Sequence, residues 1–111
     1  MRFIEEVVVE AFLPTIRSML AERLRERGLT QTEVAETLGI SQSAVSKYAQ
    51  GDVEGRPAIR ADRRVVELVD QLATGLAEGS TSQVQALAEI EVLIRTLEQG
   101  DLLADLHEQA Y

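Results

Sequence analysis

Apolar positions along this chain recur at helical spacing from one end to the other. Strand-like alternation is absent except for Val7-Val8-Val9, which is flanked by glutamates and continues a helical pattern. The first predicted stretch covers about residues 4–27. Pro14 lies inside it, and a proline lacks a backbone donor and clashes one turn back. A kink is expected there, or a break with Pro14 opening a second helix. Beyond it Ile16, Leu20 and Leu24 recur every four residues, with Leu13 and Met19 alongside, and Gly28 is placed to end the helix.

The segment Thr30 to Gln50 reads TQTEVAETLGISQSAVSKYAQ. Thr30 followed by Glu33 has the form of a capping box, which opens a helix whose inner face is Val34, Ala35 and Leu38. Gly39 is expected to adopt a positive φ, which glycine reaches without a Cβ clash. Ile40 then fills the space between two helices. Ser41 caps the second of them, packed inward by Val45 and Tyr48. The small Ala35 sits four residues before Gly39, where two helices cross closely. Together these positions fit a helix-turn-helix, with Thr30–Leu38 as the positioning helix and Gln42–Gln50 as the recognition helix.

After this unit, Gly51 to Pro57 predicts a loop, with two glycines, a proline and three charges in seven residues. A single helix is predicted from Ile59 to about Glu78 on Val65, Val66, Leu68, Val69, Leu72 and Leu76. Gly79-Ser80 breaks it, and Ser80 or Thr81 is placed to cap the next helix, which runs to about Gln99. A short final helix would carry Leu102, Leu103 and Leu106. The predicted fold is all-α: a helix-turn-helix (lambda-repressor-like) domain with long C-terminal helices forming a dimerisation region. The division expected is an N-terminal helix plus DNA-binding region over 1–57 and a helical dimerisation region over 58–111, as one compact unit.

Charge changes how this pattern is understood. A net charge of -8 over 111 residues looks wrong for a protein that meets phosphates. Its distribution removes most of the objection. Residues 1–60 hold eight Lys or Arg against nine Asp or Glu, a net of -1, whereas residues 61–111 hold three against ten, a net of -7. The outer face of the second helix of the pair, with Gln42, Ser43, Ser46, Lys47 and Gln50, carries no acid at all. Glutamine suits adenine, serine several bases, and lysine guanine or phosphate. Ser41 and Gln42 stand where a helix N-terminus offers free amides to phosphate. Thr30 and Gln31, at the start of the positioning helix, complete the candidate set there. Arg56, Arg60, Arg63 and Arg64 follow. They either clamp the DNA backbone or pair with Glu54, Asp62 and Glu67 on their own helix. The sequence supports both equally. Arg17 is a weaker candidate for a phosphate contact.

Other chemistry is thin. There are no cysteines, which removes disulfides and thiolate metal sites. The single histidine, His107, suits a solvated surface role. No Gly-rich phosphate loop or HExxH signature is present, so neither an enzyme nor a cofactor is expected. No apolar run approaches a membrane span, and the first ten residues, with three glutamates, lack the basic start of a signal peptide; a cytoplasmic location is expected. Ten of the eleven basic residues are arginine. Lysine depletion on an acidic chain points to a high-salt cytoplasm, as in halophilic archaea.

The stretch Phe12 to Gly51 resembles the DNA-binding domain of a group of archaeal transcriptional regulators. In these a Leu-Pro-x-Ile-Arg helix precedes Gly-Leu-Thr-Gln and a Val-Ser-x-Tyr recognition helix, and some are fused to a domain of the thiamine-phosphate synthesis type. The resemblance covers the DNA-binding part alone. It implies a regulator that binds double-stranded DNA as a homodimer, which two-fold symmetry would match to a palindromic operator. The surplus of Leu, Ile and Val in the C-terminal helices supports self-pairing. A rival reading is an antitoxin-like module, in which those helices bind a protein partner and the helix-turn-helix autoregulates.

Overall fold

The computed structural model describes residues 12–49 and 57–97, and every regular element among them is helical. In chain order these are α1 (Leu13–Glu26), α2 (Gln31–Leu38), α3 (Gln42–Ala49), α4 (Pro57–Ala61), α5 (Arg63–Glu78) and α6 (Gln83–Leu97). The Val7–Val9 segment, Gln50, Arg56, the predicted final helix and His107 lie outside the described residues.

Helix α1 is the centre of the fold. Pro14 falls in its first turn, where the missing amide has no intrahelical acceptor to lose. Ile16, Met19, Leu20, Ala21 and Leu24 are buried along it. The chain leaves α1 through Gly28 at φ +92°, with the Leu29 amide donating back to the Leu24 carbonyl at 3.2 Å. One side of α1 receives the α2–α3 pair, and another receives α5. Helix α5 gives that contact Val65, Val69, Leu72 and Ala73, all buried. Two polar clasps run along the same seam: Arg23 donates to Asp70 at 2.9 Å, and one turn on Arg27 donates to the Thr74 hydroxyl. The Asp70 carboxylate, through its hydrogen bond, raises the Arg23 pKa above its ordinary value.

Three expectations for the second half need correction. Pro57 is the first residue of α4, not the end of a loop, and proline suits a first helical position. The stretch 59–78 is two helices, divided at Asp62. The Asp62 backbone is extended and its carboxylate accepts from the Arg64 and Val65 amides at 2.9 and 3.2 Å, so a new helix starts there. Burial pushes the Asp62 pKa up, but its bonds to Arg64 and to the two amides outweigh that and leave it below the usual carboxylate range. Finally, α6 is capped by Ser82 rather than Ser80 or Thr81. The Gln85 amide donates to the Ser82 hydroxyl at 3.1 Å, and the Ser82 amide donates to Gln85 Oε1 at 2.9 Å, a reciprocal box. Ser80 and Thr81 instead donate their amides to the Gly75 carbonyl at 2.9 and 3.1 Å, closing the end of α5.

Helix α6 returns over the bundle, burying Ala86, Ile90, Ile94 and Leu97. Its opposite side is different. Val84 is 78%, Leu87 49% and Val92 62% exposed.

Candidate nucleic-acid interface

Helices α2 and α3 are held by the contacts the sequence specified. The Thr30 hydroxyl accepts from the Glu33 amide at 3.1 Å while the Thr30 amide donates to Glu33 Oε1 at 2.9 Å, a complete capping box. Those hydrogen bonds, the backbone one first, hold the Glu33 carboxyl below its ordinary pKa. Gly39 has φ +68° and ψ +35°, the left-handed geometry that ends α2 and turns the chain. The Ile40 amide donates to the Ala35 carbonyl at 3.0 Å. Ser41 then starts α3, its hydroxyl accepting from the Ala44 amide at 3.1 Å. Val34, Ala35 and Val45 are buried, and Leu38, Ile40 and Tyr48 pack half-buried against the same core.

This arrangement fixes which side chains of α3 face outward. Gln42, Ser43 and Lys47 are exposed, as is Ser41 at the cap. Ser46 is half-buried and already engaged, so it projects less than its helical position had suggested. Thr30 is exposed but committed to its cap, and Gln31 begins α2 half-buried beside it. No acidic residue stands on α3. Lys47 lies in its last turn, where a cation also complements the helix dipole.

The described downstream arginines, Arg60, Arg63 and Arg64, are engaged with carboxylates. Arg60 reaches Glu22 on α1 at 2.7 Å, both about one-third exposed, and so fastens α4 to the centre of the fold. Arg63 pairs with Glu67 at 3.1 Å and Arg64 with Asp62 at 3.0 Å. Of the two uses the sequence allowed, Arg60, Arg63 and Arg64 show pairing within the fold, with Glu22 as a partner the sequence had not indicated. Arg17 is exposed on α1, on the rim of a shallow groove of about 180 Å³ that Leu38, Leu76 and Leu87 also line.

One contact was invisible from the sequence. Gln83, the first residue of α6, donates from Nε2 to the Glu36 carbonyl near the end of α2 at 2.9 Å. Its amide also presses on the turn: a Cβ added at Gly39 would lie 2.6 Å from Gln83 Oε1. The pairing spans 47 residues, so no periodicity or motif signals it.

Residues 20–60 match the family model described as Helix-turn-helix. This segment is a helix-turn-helix by fold, and its similarity to that family supports a DNA-binding role. The match runs from the middle of α1 into α4 and takes in α2 and α3 whole, while Arg17, Arg63 and Arg64 lie outside it. Comparison with curated proteins and with solved structures gives no match. No helix among the described residues is long and apolar enough to cross a membrane.

Proposed function

We propose that this chain is a sequence-specific transcriptional regulator that binds a palindromic operator as a homodimer, reading bases with α3. The observation that carries this is the outward face of α3, where Ser41, Gln42, Ser43 and Lys47 stand exposed and acid-free on a rigidly capped helix pair. On a chain of net charge -8, a face without acid is the surface that can approach a phosphate backbone without repulsion. Gln42 and Ser43, in the first turn, are placed as helix-turn-helix side chains that meet base edges, and Lys47 one turn on. Ser41, Thr30 and Gln31 sit at helix starts, where backbone amides suit phosphate. Gln50 and Arg56 extend the same proposal. Arg60 has its guanidinium on Glu22, so any phosphate contact by it competes with that pair. The resemblance of Phe12–Gly51 to archaeal regulators supports a prokaryotic-type regulator, and the arginine-rich, acidic composition supports a high-salt source.

The homodimer reading rests on α6. The apolar face of α5 is taken up by α1, so among the described residues the apolar surface left for self-pairing is the exposed side of α6. Selection of bound duplexes from a random library tests both parts together. The expected product is an inverted repeat, with Gln42→Ala relaxing preference at one base pair per half-site by about 5- to 150-fold, the equivalent of roughly 1–3 kcal/mol. A single unrepeated motif would contradict the dimer. No enriched motif would contradict sequence-specific reading.

A further inference from the structure

Within the proposed homodimer, on which this inference rests, we infer that two copies pair through α6 in antiparallel orientation, with the two-fold axis at Ala88. Val84, Ala88 and Val92 are all exposed and follow one another at four-residue intervals. At about 100° per residue each step drifts only about 40° around the helix, so the three form one continuous ridge. The order Val, Ala, Val is the same in both directions. An isologous interface needs that property, because each copy presents the same patch to the other. Reversal about Ala88 places Val84 of one copy against Val92 of its partner, and the converse pair forms by symmetry. Ala88 stands at the crossing, and its small side chain lets the two backbones approach closely.

The rest of the helix agrees with this axis. The ridge itself carries no charge, and Glu89 and Glu91 flank it. Leu87, half-exposed, lies one turn from Val84 and borders the ridge on the side of the bundle. It also continues the apolar surface into the groove that it lines with Leu38 and Leu76. A stable interface needs about 1,000 Å² in total, more than three small side chains supply, so this extension belongs to the contact. No comparable exposed apolar line occurs elsewhere among the described residues, where Val84, Leu87 and Val92 are the large exposed hydrophobics. The pairing also reaches the DNA-reading unit. Gln83, five residues from the axis, is bonded to the Glu36 carbonyl and packed at Gly39. An interface centred on Ala88 therefore fixes the separation of the two recognition helices through the turn itself.

The chain has no cysteine, which makes the test direct. Ala88→Cys should form an intermolecular disulfide on mild oxidation, and Thr96→Cys, exposed on the same helix but eight positions beyond the axis and so too far from its own copy, should not. In sedimentation, Val84→Glu and Val92→Lys should each raise the dimer dissociation constant at least about tenfold. Mixing those two variants should restore the dimer, because antiparallel pairing brings the new opposite charges together. Both positions are exposed, and circular dichroism would verify that the variants fold. A parent dimer untouched by either substitution and not cross-linked at position 88 overturns this interface and leaves the homodimer standing. A parent chain monomeric at every concentration overturns both. Restoration absent from the mixture, with Ala88→Cys cross-linked, overturns the antiparallel orientation.

Discussion

Gly39→Ala isolates how α6 holds the turn between α2 and α3. At φ +68° an L-residue pays for left-handed backbone, about 1 kcal/mol for a single residue. The added Cβ would also come within 2.6 Å of Gln83 Oε1, and the flexible end of that side chain must move. Moving it breaks the 2.9 Å bond from Gln83 to the Glu36 carbonyl, worth about another 1 kcal/mol. The single substitution should thus cost about 2 kcal/mol. Gln83→Ala alone should cost about 1 kcal/mol, and the double variant about 2 rather than 3, because the bond can be lost only once. Urea unfolding followed by circular dichroism, at one protein concentration throughout, measures all four corners. A coupling of about 1 kcal/mol is expected. Strict additivity would refute the claim that Gln83 abuts the turn. A Gly39→Ala variant as stable as the parent would refute the left-handed geometry as well.

Other positions give independent checks. Gly75→Ala should destabilise by about 1–2 kcal/mol despite better helix propensity, since its Cβ would lie 2.8 Å from Thr81 Cβ and force the α5–α6 turn outward; a gain in urea midpoint would contradict this. Stability should fall in acid through Glu33 and Asp62. Both carboxyls are held below their ordinary pKa, so their contribution is complete above about pH 4 and is lost as pH falls through the folded values. Thermal midpoints of Glu33→Gln and Asp62→Asn should therefore drop less between pH 6 and pH 3, as round working values on either side of the reference range, than that of the parent. Lys47→Ala should weaken DNA binding nearly uniformly across sequences and reduce the salt slope by about 1 if its amine meets phosphate; an unchanged slope would place the side chain on a base instead.

The helix-turn-helix was legible because its determinants are local. Thr30 and Glu33, Gly39 and Ser41 each act within four residues, and a capping box or a positive φ needs no knowledge of the rest of the chain. Burial of Val34, Ala35 and Val45 followed from helical spacing alone. The second half was harder for the same reason. Ile59, Val65, Val66 and Val69 sustain a helical period across Asp62, and only the competition of that carboxylate for two amides reveals the break. Ser80, Thr81 and Ser82 are all competent caps by residue type. The choice went to Ser82 because Ser80 and Thr81 are drawn back onto the Gly75 carbonyl. The Arg60–Glu22 pair and the Gln83–Glu36 bond join residues 38 and 47 apart, and nothing in the local pattern encodes either.

The most direct test of the central claim is a titration of this chain against its own upstream DNA and a scrambled duplex over a range of potassium chloride. The account predicts preference for the native duplex that persists as salt rises, since base contacts by α3 survive where phosphate contacts are screened. Equal and salt-sensitive affinity for the two would contradict sequence-specific reading. No binding to either would contradict the DNA interface itself and turn attention to a protein partner on α6.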